Sequence, residues 1–77
     1  MHTIQVLGPG CQRCQMLLER TRQAIRELGI KNPVEKVSDM GEIVRLGVLS
    51  TPALVVDGQV RVSGRVPTIT ELKEMLA

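Results

Sequence analysis

The chain has 77 residues, 43% of them apolar, and a formal net charge of +2. This length accommodates one domain, predicted to span residues 1–77. The small excess of positive charge and the absence of Phe, Tyr and Trp argue against nucleic-acid binding, which needs a basic surface and aromatic platforms for stacking. No segment approaches the roughly 18 consecutive apolar residues of a membrane span, and no signal peptide is visible, so the expected location is the cytoplasm.

The first half of the chain predicts a strand, a long helix and a second strand. In residues 3–7, apolar and polar side chains alternate, which is typical of a strand. In residues 12–28, apolar side chains recur about once per turn, which predicts a helix, and Gly29 is suited to follow its end. Residues 34–37 predict a second strand, parallel to the first and joined to it by a right-handed crossover.

A second, short helix follows. Asp39 and Glu42 have the spacing of a capping box, and the helical pattern ends near Gly47. The methionines Met16, Met40 and Met75 lie at helical spacing. We interpret them as core residues that fill gaps, and not as copper ligands.

The next segment predicts a β-hairpin. Residues 53–56 are an uninterrupted apolar run, which favours a buried strand. Asp57-Gly58 is the strongest hairpin-turn signal in the chain. Val60 and Val62 alternate with polar residues, which predicts a fourth strand with its apolar side chains on one face.

The chain closes with a predicted helix. Thr68 and Glu71 form a second capping-box pattern, followed by an apolar stripe. The predicted order is therefore βαβαββα, an α/β fold with a four-stranded mixed sheet and three helices.

The cysteines suggest the chemistry. Cys11 and Cys14 are three residues apart, at the junction of the first strand and the first helix. A disulfide between them would be a poor structural crosslink, because closing so short a loop removes only about 2 kcal/mol of chain entropy. A structural zinc site normally needs four ligands, and His2 is the only other Cys or His. A reactive dithiol or a two-thiolate site for a soft metal remains.

Three features then coincide. The Cys11/Cys14 pair lies between the first strand and the first helix, Thr51-Pro52 directly precedes the apolar strand, and Gly64 ends the fourth strand. With the element order, they resemble the thioredoxin/glutaredoxin fold over essentially the whole chain. The resemblance is closest to the very small prokaryotic thioredoxin-like proteins of the redox-active disulfide protein 2 type.

The position of the motif assigns roles to the two thiols. A helix N-terminus stabilises a thiolate, so Cys11 is predicted to attack and Cys14, one turn further in, to resolve the mixed disulfide. Arg13 either adds favourable charge to this site or is simply a solvated side chain. The redox-active disulfide would be the only redox group, with no separate cofactor and no metal.

The resemblance implies a substrate-binding edge. Most X–Pro bonds are trans, but the resemblance implies that Pro52 is the cis-proline of the fold, beside the dithiol. Thr51 would then offer its backbone to an extended substrate. Gly64 is either a close-approach glycine near this site or a plain strand terminator. Arg65 follows it where glutaredoxins have acidic character, which argues against glutathione binding.

The sequence also departs from classical thioredoxins. Gly10 stands in place of the tryptophan before the motif, Gln12-Arg13 replaces Gly-Pro, and no acidic residue lies in the first strand to accept a proton from Cys14. We therefore expect substrate specificity to differ from that of classical thioredoxins.

Three functions are compatible with the motif. The first is a thiol–disulfide oxidoreductase, an enzyme that acts as a monomer on protein disulfides and receives electrons from a thioredoxin-reductase-like donor. The second is a Cu(I)-type soft-metal binding module or metallochaperone, although such domains run βαββαβ and end in a strand. The third is a redox sensor that binds a partner without turnover.

Overall fold

Within residues 3–10 and 12–77, which the computed structural model describes, four strands and three helices form the predicted βαβαββα order. Met1, His2 and Cys11 lie outside the described residues. The elements are β1 (Ile4–Leu7), α1 (Gln12–Leu28), β2 (Val34–Val37), α2 (Met40–Arg45), β3 (Ala53–Val56), β4 (Gln59–Ser63) and α3 (Ile69–Leu76).

The sheet has the strand order β2-β1-β3-β4. β1 is parallel to β2 and antiparallel to β3, and β3 is antiparallel to β4. The predicted mixed sheet is therefore confirmed, including the parallel first unit and the antiparallel final hairpin.

Apolar clusters cover both faces of the sheet. Neighbouring residues of a strand point to opposite faces, so each strand can contribute to both clusters. Val6 accordingly belongs to one buried cluster and Leu7 to another. The larger cluster joins the sheet to α1 and α3 and contains Ile4, Val6, Leu17, Ala24, Ile25, Leu54, Val56, Val62, Leu72 and Leu76. The smaller cluster joins the sheet to α2 and contains Leu7, Ile43, Val48, Ala53 and Val55. Two-sided cover explains why every residue of β3 is buried.

The predicted end of α1 and the predicted start of α3 are both confirmed. Past the end of α1, the Ile30 N–H donates to the Ile25 carbonyl at 2.9 Å, the bond expected when Gly29 follows the helix. At the start of α3, the Thr68 hydroxyl accepts from the Glu71 N–H, and the Glu71 carboxylate accepts from the Thr68 N–H. These caps satisfy backbone groups that a helix leaves unpaired at its ends.

The capping box predicted for α2 is correct only in its first residue. The Asp39 carboxylate caps the helix, but it accepts from the Gly41 N–H at 3.0 Å, one residue earlier than the box requires. The Glu42 carboxylate accepts from Arg45 at 2.8 Å. In this six-residue helix, the ion pair of Glu42 with Arg45 replaces the hydrogen bond that a capping box would place between the Glu42 carboxylate and the Asp39 N–H.

The predicted hairpin turn is confirmed. Asp57 and Gly58 both have positive φ, 52° and 79°, which is the conformation of a type I′ turn. The Asp57 carboxylate also accepts from the Thr3 N–H at 2.8 Å, so the turn is fastened to the residue before β1.

The pattern predicted for β4 is wrong in one respect. Val62 is 5% exposed and belongs to the larger cluster, whereas Val60 is 41% exposed. A register shift in the hairpin pairs Val62 with Leu54 but Val60 with Val55, so Arg61 is the extra residue of a β-bulge. The bulge turns the two valines to opposite faces of the sheet.

The methionines also depart from the prediction. Met75 packs against the larger cluster, but Met16 and Met40 are 38% and 53% exposed. Met16 follows Cys14 by only two residues, so it points away from the buried stripe of α1. Met40 begins a helix of six residues whose only buried residue is Ile43.

Ion pairs join α3 to neighbouring segments. Lys73 contacts the Glu27 carboxylate at 3.1 Å, and this hydrogen bond is the largest cause of a lowered pKa at Glu27. The Thr68 backbone N–H is the largest cause of a lowered pKa at Glu71, which Arg65 also contacts at 3.1 Å. Both carboxyl groups therefore favour the charged form more in the folded chain than in the unfolded chain.

These shifts predict loss of stability in acid. A carboxyl group with a lowered folded pKa stabilises the fold above its ordinary pKa, and this contribution disappears as pH falls through the folded value. The free energy of unfolding should therefore decrease as pH falls from the ordinary glutamate pKa of 4.5 through the lower folded values. Urea unfolding at several pH values should show a shallower decrease in the double variant Glu27→Gln, Glu71→Gln. Glu74→Gln, an exposed change on the same helix, is the matched control and should keep the wild-type slope; equal slopes in all three proteins would contradict the assignment.

Candidate functional site

Cys14 lies in the first turn of α1 and is 4% exposed. Its sulfur faces Gly8, the residue that follows β1, whose N–H donates to the Val37 carbonyl at 2.9 Å. A Cβ atom at Gly8 would overlap Cys14 Sγ and lie 3.0 Å from Cys14 Cβ. The strand end can therefore approach the thiol this closely only because residue 8 has no side chain.

The Thr51-Pro52 loop reaches the same place. A Cβ atom at Gly8 would also lie 3.9 Å from Thr51 Cβ, so Gly8 lies between Thr51 and Cys14. The Thr51–Pro52 peptide bond is cis, the isomer that the resemblance implies, and Pro52 is fully buried. The start of α1, the end of β1 and the loop before β3 thus meet around one thiol.

Gly64 connects the end of β4 to that loop. Its N–H donates to the Pro52 carbonyl at 2.9 Å. Its φ of 81° is in the left-handed region that favours glycine, and an added Cβ would lie 3.1 Å from Ser50 Cβ. The neighbouring Ser63 hydroxyl donates to the Ser50 carbonyl at 3.0 Å. Gly64 is therefore a close-approach residue.

Arg13 joins the start of α1 to Gly64. Its Nη2 donates to the Gly64 carbonyl at 2.9 Å, and the arginine remains exposed. Both backbone polar groups of Gly64 thus have partners within the chain, one from Arg13 and the other at Pro52. This arrangement links the helix that carries Cys14 to the loop that carries Thr51.

The rim of the site is positively charged. Segments 8–14, 49–52 and 63–65 contain two arginines and no Asp or Glu. Arg65 pairs with Glu71 at 3.1 Å. In the part of the chain that the structure describes, no carboxylate pairs with Arg13, so its charge is the one that a ligand at the rim would meet.

The structure brings together five of the six residues that the sequence indicated: Arg13, Cys14, Thr51, Pro52 and Gly64. The sixth, Cys11, lies outside the described residues. Sequence reasoning missed the close approach of Gly8 and the contacts of Ser50 with Ser63 and Gly64. A glycine at a strand end, six residues before a cysteine, was the available signal for the first. No signal in the sequence indicated the contacts of Ser50.

Two other observations bear on ligands. Apart from residues 1, 2 and 11, no group of three or more His, Cys, Asp and Glu side chains is arranged to hold a metal ion. A cavity of about 420 Å³ opens between α1 and the start of β2, but its lining, which includes Glu19, Arg22 and Val34, contains none of the residues around Cys14. This cavity is therefore separate from the site at Cys14.

Comparison with known proteins agrees with this geometry. A family model described as a thioredoxin domain matches residues 2–77. The chain belongs to the thioredoxin family. The predicted thioredoxin-like α/β fold is confirmed by this match and by the mixed sheet with three helices.

Curated relatives support the family assignment. A thioredoxin of Methanothermobacter thermautotrophicus is 42% identical over 77 residues and covers all of both chains. A thioredoxin of Methanocaldococcus jannaschii is 36% identical over 76 residues, with 99% of this chain and 87% of that protein covered. A probable thioredoxin of Methanothermobacter thermautotrophicus is 34% identical over 72 residues, covering 90% and 84%. The chain is therefore a small prokaryotic thioredoxin-like redox protein. Within its described residues, no helix is both long and apolar enough to cross a bilayer.

Proposed function

We propose that this protein is a thiol–disulfide oxidoreductase, a thioredoxin-like electron carrier that reduces protein disulfides with the Cys11–Cys14 dithiol. The observation that carries the proposal is the position of Cys14, buried in the first turn of α1 against Gly8 and beside Thr51. A structural cysteine would need no such junction of strand end, helix start and loop.

The proposed reaction has two exchange steps. The Cys11 thiolate attacks one sulfur of the substrate disulfide, which forms a mixed disulfide and releases the first substrate thiol. Cys14 then attacks the Cys11 sulfur, which closes the Cys11–Cys14 disulfide and releases the second substrate thiol. Two electrons and two protons pass from the protein to the substrate. A thioredoxin-reductase-like donor would return them.

The burial of Cys14 supports this division of labour. At 4% exposure, its sulfur is shielded from a second bulky disulfide, but it needs to reach only a sulfur three residues away in sequence. Gly8 supplies the space beside it. The resolving step is therefore an intramolecular one, which favours rapid release of the substrate over a persistent mixed disulfide.

Thr51 is the proposed docking residue. Within residues 3–10 and 12–77, the backbone N–H and C=O of Thr51 take part in none of the backbone–backbone hydrogen bonds formed outside the helices and strands. An extended substrate segment could therefore pair with it as a short added strand, with its disulfide over the dithiol. We propose that the protein acts in this way as a monomer in the cytoplasm.

Trapping experiments test the proposal. The reduced protein should accelerate the reduction of insulin disulfides, and Cys11→Ser and Cys14→Ser should each reduce that rate to background. Cys14→Ser should accumulate mixed disulfides with insulin chains, because Cys11 attacks but nothing resolves the product. Cys11→Ser is the matched control and should trap none.

The same proteins separate the alternatives. A dithiol that insulin does not oxidise and that no reductase system turns over would contradict the oxidoreductase proposal. Tight, stoichiometric Cu(I) binding without insulin reduction would instead favour the soft-metal module. Capture of a partner that depends on oxidation state, without turnover, would favour a redox sensor.

A further inference from the structure

The guanidinium of Arg13 has a fixed position at the rim of the site. It lies in the middle of the Cys11–Cys14 segment, and its hydrogen bond to the Gly64 carbonyl restrains an otherwise flexible side chain. An arginine has five N–H donors, and this bond uses one. The remaining donors belong to an exposed side chain and are accessible to a ligand.

The path of a docked substrate brings it to this group. Gly64 bonds through its N–H to the Pro52 carbonyl, and Pro52 is adjacent to Thr51. A segment that pairs with Thr51 therefore runs beside Gly64, whose carbonyl accepts a hydrogen bond from Arg13. The side chains next to the substrate cysteine would come close to the guanidinium.

The charge at that point is unbalanced. Glu71 partly neutralises Arg65, and segments 8–14, 49–52 and 63–65 provide no acidic residue to pair with Arg13. A substrate carboxylate matches the planar guanidinium of Arg13 better than any neutral group does. A substrate lysine would be repelled by the positive charge of Arg13.

We propose that Arg13 is a specificity-determining residue, which makes this protein prefer disulfides whose cysteine is flanked by an acidic residue. The inference rests on the proposed function and deepens it by naming a class of protein substrate. Arg13 exchanges no electrons itself; it contacts the substrate beside the reacting sulfur.

Synthetic peptides can measure this preference directly. Three peptides differ only in the residue next to a single cysteine, which is Glu, Gln or Lys, and each cysteine is joined by a disulfide to 2-nitro-5-thiobenzoate. Attack of the Cys11 thiolate on the peptide sulfur releases the coloured thiobenzoate, and Cys14 then releases the peptide thiol. The protein dithiol loses two electrons and the mixed disulfide gains them, so no reductase is needed.

The reduced wild-type protein should react fastest with the Glu peptide and slowest with the Lys peptide. The rate ratio of Glu to Gln should be about threefold to fivefold, the size expected of an exposed ion pair. It should shrink between about 50 mM and about 500 mM salt, because salt screens exposed charges. Ratios are used because a general change in thiolate reactivity cancels in them.

Variants assign the preference to one residue. Arg13→Gln should bring the Glu-to-Gln ratio close to one, and Arg13→Lys should retain part of it as a point charge. Arg22→Gln is the matched control. It removes the same charge from the same helix, about 13.5 Å further along at the usual rise per residue, and should keep the wild-type ratio.

The outcomes separate the two proposals. Equal rates with all three peptides, or a preference that persists in Arg13→Gln, would overturn the role of Arg13 and leave the oxidoreductase proposal standing. Release of thiobenzoate from none of the peptides, by a protein whose cysteines are reduced, would instead overturn the proposed function and the inference with it.

Discussion

Replacing Gly8 by alanine should destabilise the protein by about 1–3 kcal/mol and strongly reduce disulfide reduction. The added methyl group would overlap Cys14 Sγ, and neither the end of β1 nor the start of α1 can move without disturbing the core. A chain of this length has only about 4–12 kcal/mol of total stability. Urea unfolding followed by far-ultraviolet circular dichroism measures the loss, since the chain has no aromatic residue to report it by fluorescence.

Two controls isolate the overlap with Cys14. Gly41→Ala, in α2, places its methyl group at an ordinary 3.5 Å from the Asp39 carboxylate and should be neutral or stabilising by up to about 1 kcal/mol. In a Cys14→Ala background, Gly8→Ala should cost clearly less, because the sulfur is gone. An equal cost with and without the sulfur would show that the close approach is not the cause.

Leu17→Ala should destabilise the protein by about 2–5 kcal/mol. Leu17 is 0% exposed, lies one turn after Cys14 and belongs to the cluster that joins the sheet to α1 and α3. With no Phe, Tyr or Trp in the chain, no aromatic side chain is available to fill the space that the substitution leaves. The midpoint of thermal unfolding should fall by at least about 8 °C, since each kcal/mol corresponds to about 4–8 °C in a domain of this size.

The matched control is the same substitution at the surface. Leu49 is 95% exposed, so Leu49→Ala should change the free energy of unfolding by no more than about 0.5 kcal/mol. Equal losses at Leu17 and Leu49 would contradict the assignment of the core. Because Leu49 lies two residues before Thr51, Leu49→Ala also tests whether a change close to the site alters disulfide reduction while the free energy of unfolding stays the same.

Most elements with local causes were predictable from the sequence. The capping box of Thr68 with Glu71 and the turn at Asp57-Gly58 depend on residues within a few positions of each other, and both formed as expected. The Cys-x-x-Cys pattern and the Thr51-Pro52 dipeptide indicated a candidate site through their places in the element order, and the structure brings Cys14, Thr51 and Pro52 together there.

Features with distant causes were not predictable. The bulge at Arg61 depends on how β4 pairs with β3, and no pattern within β4 announces it. The bond from Arg13 to Gly64 joins residues 51 positions apart, so an arginine at a helix start looked the same as a solvated one. The contact of Gly8 with Cys14 depends on the angle between a strand and a helix, which single-residue preferences do not specify.

The separation between Arg13 and Gly64 also bears on how the protein is made. The segment that contains Arg13 leaves the ribosome 51 residues ahead of Gly64. Until then, the nascent chain carries its thiols without the loop that Arg13 holds. The rim of the site is thus complete only after Gly64 has been made, and a fragment that contains the Cys-x-x-Cys segment alone would carry Arg13 without the Gly64 carbonyl that restrains its guanidinium.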